Sequence, residues 1–410
     1  MIDNIRKNIK SEKLTFKNED GLELSASLEL PIDRKPLTYA IFAHCFTCNK
    51  NLKAVSNITR ALTNNGFGVL RFDFTGLGES EGDFADTNFS SNIQDLVCAA
   101  DYLSENYGKP ELIVGHSLGG AASIFAASMI DSICAVATIG APSSPGHVRH
   151  LFEEDIDKIE ANGSAEILLA GRPFEVKKQF LDDISSKNMK EVVSTLGKAM
   201  LIMHSPQDMT VGINNAAEIY EYAQHPKSYV TLDGADHLLS RSKDSEYAGQ
   251  LISSWVTRYI DIEEEKKLRP KKTVLARIGA TGFTTDIQSG NHTFRADEPL
   301  SVGGDDFGPN PYDLLLSSLG ACTAMTMRMY ADRKGWGIEE INVHLSHNKK
   351  HVKDCIDCDT QSGYIDYIEK EIEITADLDK EQRQRLLEIA DKCPVHRTLH
   401  NEVKVTTKLI

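Results

Sequence analysis

The sequence has no apolar run near the roughly 20 residues that a membrane-spanning helix needs, which sets aside helical integral membrane proteins. Its opening segment, MIDNIRKNIKSEKLTF, has no apolar stretch followed by small residues, so no secretory leader is expected. Cysteine is sparse. Eight in 410 residues are too few for a secreted disulfide scaffold. A cytoplasmic location is therefore expected, where thiols read as buried, catalytic or metal-binding. Positive charge is in deficit: 45 Lys and Arg face 60 Asp and Glu, a net charge of −15. An acidic surface repels phosphate backbones, so neither nucleic acid nor membrane is an expected partner. Internal repeats and low-complexity tracts are missing too, which argues against a solenoid or a disordered chain. What remains is an ordinary globular mix, 41% hydrophobic and 26% charged, long enough for two domains.

The clearest break is DIEEEKKLRPKK, residues 261–272, nearly all charged and without apolar periodicity. It reads as a linker between a domain at 1–260 and one at 273–410. In the first, short apolar runs alternate with helical patterns. Strands are expected at Glu23–Leu30, Thr38–Ala43, Gly66–Phe74, Glu111–Gly115, Ala135–Ile139, Ala199–His204 and Ser228–Leu232. Helices are expected at Asn51–Asn65, Asn92–Tyr107, Leu118–Ile130, Ile213–Ala223 and Tyr247–Ile260. Continuous apolar strands separated by helices are what a mostly parallel α/β sheet produces. A more polar insertion, about 143–198, holds a possible hairpin at Ile167–Phe180. In the second domain, strands are expected at Thr273–Thr285 and His292–Ala296, joined by the Gly290-Asn291 turn, then at Ile341–Leu345, Ile368–Ala376 and Glu402–Leu409. A helix should run from Pro311 to Lys334, with Asn310 as N-cap and Gly335 just past its end, and a second should cover Leu378–Lys392. This grouping implies an α+β domain.

Gly115-His116-Ser117-Leu118-Gly119 fits G-x-S-x-G between an expected strand and an expected helix. A nucleophilic serine needs such a sharp turn to expose its hydroxyl at the carboxyl end of the sheet, with the Leu118 N–H aimed at a developing oxyanion. A serine hydroxyl also needs a base. Asp208 and His237 follow successive strands in the chain order Ser, acid, His, so all three reach one rim. His237 would be the general base and Asp208 its orienting acid. Asp236 is a weaker choice, since neighbours in an extended loop point apart. Cys45 and Cys48 form a C-x-x-C that reads either as a redox or metal site or as small loop and core residues.

The G-x-S-x-G, the His44–Lys50 loop and RFDFTGLGESEG (71–82) resemble the α/β-hydrolase superfamily of esterases, acyl hydrolases and peptidases. The resemblance implies that the Phe46 N–H joins Leu118 as second oxyanion donor and that 143–198 is a lid; the shortness of that lid favours small carboxylic esters as substrates. The family usually has Gly after the loop histidine, where this chain has Cys45.

In the second domain, GPNPYDLLLSSLGACTAMTMRMYADRKGW followed by KCPVHRTL resembles the OsmC/Ohr family of organic hydroperoxide reductases. Together the two domains resemble α/β-hydrolase/OsmC fusion proteins. The resemblance implies that a Cys322 thiolate attacks an organic hydroperoxide, that Cys393 resolves the sulfenic acid as a disulfide, and that an external dithiol reduces it. It also implies a homodimer through this domain, and no cofactor. Pro394 is read as freeing Cys393 from a helix end. A mid-helix cysteine gains little from the helix dipole, so an arginine, Arg277 or Arg295, should stabilise the thiolate. The acidic residue that holds this arginine in the family's N-P-E motif is replaced by Tyr312; Asp313 either substitutes for it or caps the helix. Two other readings stay open: an OsmC-like domain that only dimerises and binds a small apolar ligand, and a non-catalytic redox or metal sensor using His344, His347, His351, Cys355 and Cys358, whose strand placement disfavours a shared metal.

Overall fold

A strand buried on both faces must be apolar at every position, and the first unit is built on such strands. The computed structural model describes residues 9–45, 48–153, 155–169, 172–261, 268–351 and 364–410. They divide into two units, Met1–Lys266 and Lys267–Ile410.

The first unit runs β1 (Ile9–Lys17), β2 (Glu23–Pro31), β3 (Thr38–Ala43), α1 (Lys53–Asn64), β4 (Phe67–Phe72), α2 (Phe89–Asn106), β5 (Pro110–His116), α3 (Leu118–Met129) and β6 (Ala135–Ile139). The insertion follows with α4 (Ile156–Asn162), β7 (Ser164–Leu169), β8 (Arg172–Lys177), α5 (Lys178–Ser186) and α6 (Met189–Thr195). The unit closes with β9 (Ala199–His204), α7 (Asn214–Tyr222), β10 (Lys227–Thr231) and α8 (Ser242–Val256). Eight strands form one sheet in the order β1-β2-β4-β3-β5-β6-β9-β10. From β4 to β10 all neighbours are parallel, while β1 and β2 add an antiparallel edge.

Alternate strand residues feed two separate cores. Ile41, Leu70, Ile113, Val136 and Ile202 join the cluster under α2 and α3. Their chain neighbours Phe42, Val69, Leu112, Ala135 and Leu201 join the cluster under α1 and α8. This two-sided burial is why the strands are legible as continuous apolar runs, and it fixes their register, since a one-residue slip would exchange the faces. Edge strand β1, IKSEKLTFK, was not expected from sequence. It alternates polar and apolar residues because only one of its faces packs. The insertion contains the expected hairpin, β7 paired antiparallel with β8.

The second unit contains a three-stranded antiparallel sheet of β11 (Val274–Ile278), β12 (Thr285–Ser289) and β13 (His292–Ala296). Of the expected strand Thr273–Thr285 only Val274–Ile278 forms as such; residues 279–284 are not strand, Thr285 opens the further strand β12, and the Gly290-Asn291 turn joins β12 to β13. Helix α9 spans Pro311–Lys334, with Asn310 as N-cap and Gly335 left-handed at its end, as expected. A long hairpin of β14 (Glu340–His351) and β15 (Tyr364–Thr375) follows, then α10 (Lys380–Ala390) and α11 (Pro394–His400). The expected strand Glu402–Leu409 does not form. Its alternating V-K-V-T-T-K-L pattern finds no sheet edge among the described residues, and Val403, Val405 and Leu409 are exposed. Among the described residues no helix is long and apolar enough to cross a membrane.

Candidate active site

Strand β5 ends at His116 and helix α3 begins at Leu118, leaving one residue, Ser117, to make the turn. Ser117 takes it with φ 56° and ψ −128°, a backbone state a non-glycine residue adopts only under constraint. The constraint comes from close packing. A Cβ on Gly119 would stand 2.7 Å from the Ala43 carbonyl oxygen and closer still to that of His44. The β3 loop therefore lies directly against the helix that Ser117 starts.

His237, from the loop after β10, places Nε2 3.0 Å from Ser117 Oγ. Its Nδ1 lies 2.7 Å from Asp208 Oδ2. The Asp208 carboxylate accepts, so Nδ1 carries the proton, and Nε2 is left to accept from the serine hydroxyl. The other oxygen of Asp208 accepts the Thr210 and Val211 N–H groups at 2.8 and 2.9 Å. Burial alone would raise the pKa of this acid. The His237 hydrogen bond and these backbone donors outweigh it and hold Asp208 below its ordinary value. The carboxylate therefore stays charged beside the imidazole. Asp236 instead caps its own turn through the Ser240 N–H.

Sequence reasoning missed the groups that hold these loops. Buried His116 donates from Nε2 to the His237 carbonyl at 2.7 Å, tying the strand of the nucleophile to the loop of the base. Ser205 Oγ donates to the Ala235 carbonyl at 2.6 Å, and Gln207 Oε1 accepts the Gly234 N–H at 2.6 Å. These bonds tie the loop of the acid to the loop of the base. His204 Nε2 bonds the Val211 carbonyl at 2.8 Å. Beyond His44, Lys50 is buried. Its backbone N–H donates to Asp73 Oδ1 at 2.6 Å, and its Nζ contacts Asp73, Glu79 and Ser25. A side chain on Gly78 would overlap the Asp73 carboxylate. The RFDFTGLGESEG segment thus builds an anchor for the β3 loop. Leu118, the first residue of α3, is buried, and its N–H is one that a helix start leaves without an intrahelical partner. Phe46 lies outside the described residues.

Three buried histidines give the unit a pH dependence. Burial pushes His116 down to about 3, with the neighbouring His237 adding to the shift, and burial also lowers His44 and His204. Their folded values lie below the ordinary 6.5, so their contribution is complete above that pH and is lost as pH falls below it. Each such ring acts with a slope of up to about 1.4 kcal/mol per pH unit. Asp95 acts in the opposite sense. Burial lifts it to about 6, so the fold gains from this one group as the pH drops below that value. The histidines outnumber it. Calorimetry should therefore show the melting temperature of the first unit falling steadily from pH 6.5 to pH 5. His116→Gln, which keeps a donor and removes the titration, should flatten that fall.

In the second unit only one row of α9 is buried: Leu319, Thr323, Met327 and Ala331. Cys322 is half-buried beside that row. Cys393 is fully buried, with its Sγ 3.6 Å from Thr323 Oγ1, the residue after Cys322. The expectation that Pro394 frees Cys393 is corrected. Proline opens a further helix, α11, as it does at many helix starts, and Cys393 is its N-cap, with its sulfur accepting the His396 N–H at 3.3 Å. Arg277 and Arg295 share one carboxylate, Asp286, at 2.8 and 3.1 Å. Cross-strand register puts Asp286 opposite both arginines. Asp313 completes a capping box with Asn310. In β14, His344 is exposed near Glu373, whereas His347 bonds Asp366 and stacks on Tyr312. The two histidines face apart, and no group of three metal-ligating side chains occurs among the described residues. Cys355 and Cys358 lie outside the described residues, and the side chain of His351 is likewise not described.

Comparison with known proteins agrees with this division. The profile of the family described as "Serine aminopeptidase, S33" matches residues 42–148, and that of "OsmC-like protein" matches 303–408. The crystal structure of the esterase domain of a Rhodothermus marinus protein is 47% identical, covering 61% of this chain and 99% of that one, with a TM-score of 0.51. Ferulic acid-bound Est1E of Butyrivibrio proteoclasticus shares the fold at 20% identity, covering 60% of this chain and 98% of that one, TM-score 0.52. Among curated proteins, an uncharacterized Rickettsia prowazekii protein is 34% identical over 87 residues, 20% of this chain and 36% of that protein. The mitochondrial palmitoyl-protein thioesterase of Rattus norvegicus is 31% identical over 80 residues, 20% of this chain and 26% of the thioesterase. The chain thus spans about a third or less of the length of these two relatives.

The fold and the profile define the first unit as an α/β-hydrolase domain of the esterase kind. Joined to it is an OsmC-like domain, so the chain combines an α/β-hydrolase domain with an OsmC-like one.

Proposed function

We propose that the first unit is a serine hydrolase of carboxylic esters, with Ser117, His237 and Asp208 as its catalytic triad. The observation that carries the reading is the bridging imidazole: one nitrogen within 3.0 Å of Ser117 Oγ, the other within 2.7 Å of Asp208. Ser117 Oγ attacks the ester carbonyl while its proton passes to His237 Nε2. The oxyanion is met by the Leu118 N–H and, as the family resemblance implies, by that of Phe46. The tetrahedral adduct collapses, the alcohol leaves with the proton from His237, and water repeats the sequence on the acyl-enzyme. Throughout, Asp208 keeps the imidazole in the Nδ1–H tautomer. The insertion is tied to the segment before α2 and to the start of that helix by Ser90 to Asp183, by Lys177 to Asp86 and by Phe84 against Phe174, which supports its reading as a lid. Its surface then selects among small esters. A fluorophosphonate probe should label Ser117 stoichiometrically, and p-nitrophenyl acetate should be turned over. Labelling at another residue, or none, refutes the assignment.

A second reading concerns the OsmC-like unit, and the contact of Cys393 with Thr323 favours it. We propose that Cys322 attacks a hydroperoxide oxygen as the O–O bond breaks and the alcohol departs. The Cys322 sulfenic acid then loses water to the Cys393 thiol as their disulfide forms. The arginine pair at Asp286 would favour the thiolate. The same unit exposes Met325, Met329, Val403, Val405 and Leu409. These uncovered apolar side chains support a second copy of the chain as their cover, and light scattering should give twice the chain mass. A unit that only dimerises and binds an apolar ligand would show this mass without consuming peroxide.

A further inference from the structure

The C-x-x-C between β3 and α1 is used by neither activity above. Cys45 is buried and Cys48 half-buried; their sulfurs are joined and their Cα atoms lie 5.2 Å apart. That spacing falls within the roughly 4.4–6.8 Å that a disulfide spans. The backbone produces it unaided, because the Cys48 N–H donates to the Cys45 carbonyl at 3.1 Å and closes a turn. On one side of the pair, the His44 carbonyl presses on Gly119. On the other, Asp73 holds both the backbone N–H and the ammonium of Lys50. The pair therefore sits between two fixed points, one of them the helix that Ser117 opens. A bridge over so few residues removes little entropy from the unfolded chain. Its effect falls on the local tie between His44 and Lys50, not on overall stability.

We propose that Cys45 and Cys48 form a redox-active site whose disulfide ties His44, packed on the helix that Ser117 opens, to the Lys50–Asp73 anchor, with small dithiols as the reducing co-substrate. The proposal rests on the serine hydrolase reading. A dithiol thiolate attacks the half-buried Cys48 sulfur, the S–S bond breaks, and Cys45 leaves as a thiolate that takes up a proton. The second thiol of the reductant then closes on its own sulfur, releasing Cys48 and a cyclic disulfide. Two electrons and two protons pass from the dithiol to the protein, and an oxidised dithiol runs the sequence backwards. Hydroperoxide reduction by the OsmC-like unit would draw on the same class of reductant. Ester hydrolysis would then persist when peroxide depletes dithiols and decline when they are abundant.

The test uses the full chain carrying Cys322→Ser and Cys393→Ser, which removes the other redox pair. It is equilibrated with dithiothreitol or with oxidised dithiothreitol. Free thiols are mapped by alkylation and mass spectrometry, and kcat and KM are measured on p-nitrophenyl acetate. The oxidised sample should show a Cys45–Cys48 link. Reduction should open it and lower kcat by about tenfold at near-constant KM, well inside the roughly hundredfold cost of a 1 Å misplacement. Reoxidation should restore the rate. Adding Cys48→Ser should fix kcat at the reduced level in both buffers. Three results would overturn the proposal: thiols that stay free in oxidised dithiothreitol, a kcat unchanged or raised by reduction, or a Cys48→Ser chain that keeps the oxidised rate. A linked pair in a chain that turns over no ester and leaves Ser117 unlabelled overturns the hydrolase reading, and the proposed effect on turnover falls with it.

Discussion

Ser117→Ala should lower kcat on p-nitrophenyl acetate by several orders of magnitude, up to about 10⁶, the loss seen when a triad serine is removed from a serine protease. The size of the effect follows from the geometry. The imidazole 3.0 Å away has no proton to accept once Oγ is gone, and water must attack without an acyl-enzyme. His237→Ala should cost about as much, and the double variant little more, because the groups act as one unit. Asp208→Asn should be milder, roughly 10⁴. It removes the carboxylate that fixes the Nδ1–H tautomer while sparing the Ser117 to His237 contact. Melting temperature and circular dichroism should stay close to wild type for Ser117→Ala, since the side chain is small and the turn is set by its neighbours. Turnover within tenfold of wild type would remove Ser117 from the mechanism.

The second large effect is expected at Cys322. Cys322→Ser should reduce cumene hydroperoxide turnover to the uncatalysed background, because a hydroxyl does not attack a peroxide oxygen as a thiolate does. Cys393→Ser should behave differently. One equivalent of peroxide is consumed, a sulfenic acid accumulates at Cys322, and dimedone traps it without turnover. The difference tests the order of events that the family resemblance implies. Arg277→Ala and Arg295→Ala should each slow the first step without shifting the disulfide. Asp286→Asn should resemble both, since this one carboxylate aligns the two guanidinium groups. Full peroxide turnover by Cys322→Ser would leave the unit as a dimerising, ligand-binding module.

The sequence made the site more visible than its supports. Buried parallel strands advertise themselves as unbroken apolar runs, and their carboxyl ends locate Ser117, Asp208 and His237 without any contact information. The polar braces carry no such signature. Lys50 and Asp73 are separated by 23 positions and meet only because β3 and β4 are neighbours in the sheet. His116 was visible inside the G-x-S-x-G, but its partner is a backbone carbonyl 121 positions away, which no side-chain pattern records. Edge strand β1 was hidden by its lysines. The segment 402–409 misled in the other direction, because alternation marks a residue pattern fit for a strand but not the presence of an edge to receive it. In the second unit the caps located α9, but not that the fold buries only one row of it, Leu319, Thr323, Met327 and Ala331.

The insertion between β6 and β9 has a consequence for how this enzyme could change. These strands are parallel neighbours, so any connection must cross from the end of one to the start of the other, a task that about a dozen residues with one helix can perform. The rest, including the β7–β8 hairpin, is surplus to closing the sheet. Its cost in chain closure grows only with the logarithm of its length, and its own apolar residues, such as Ile167, Val176 and Phe180, pack with the core from outside the sheet. Inheritance can therefore lengthen, shorten or replace this segment while the strands that align Ser117, Asp208 and His237 stay constant. Substrate preference and chemical competence would then diverge at different rates in descendants of one ancestral gene.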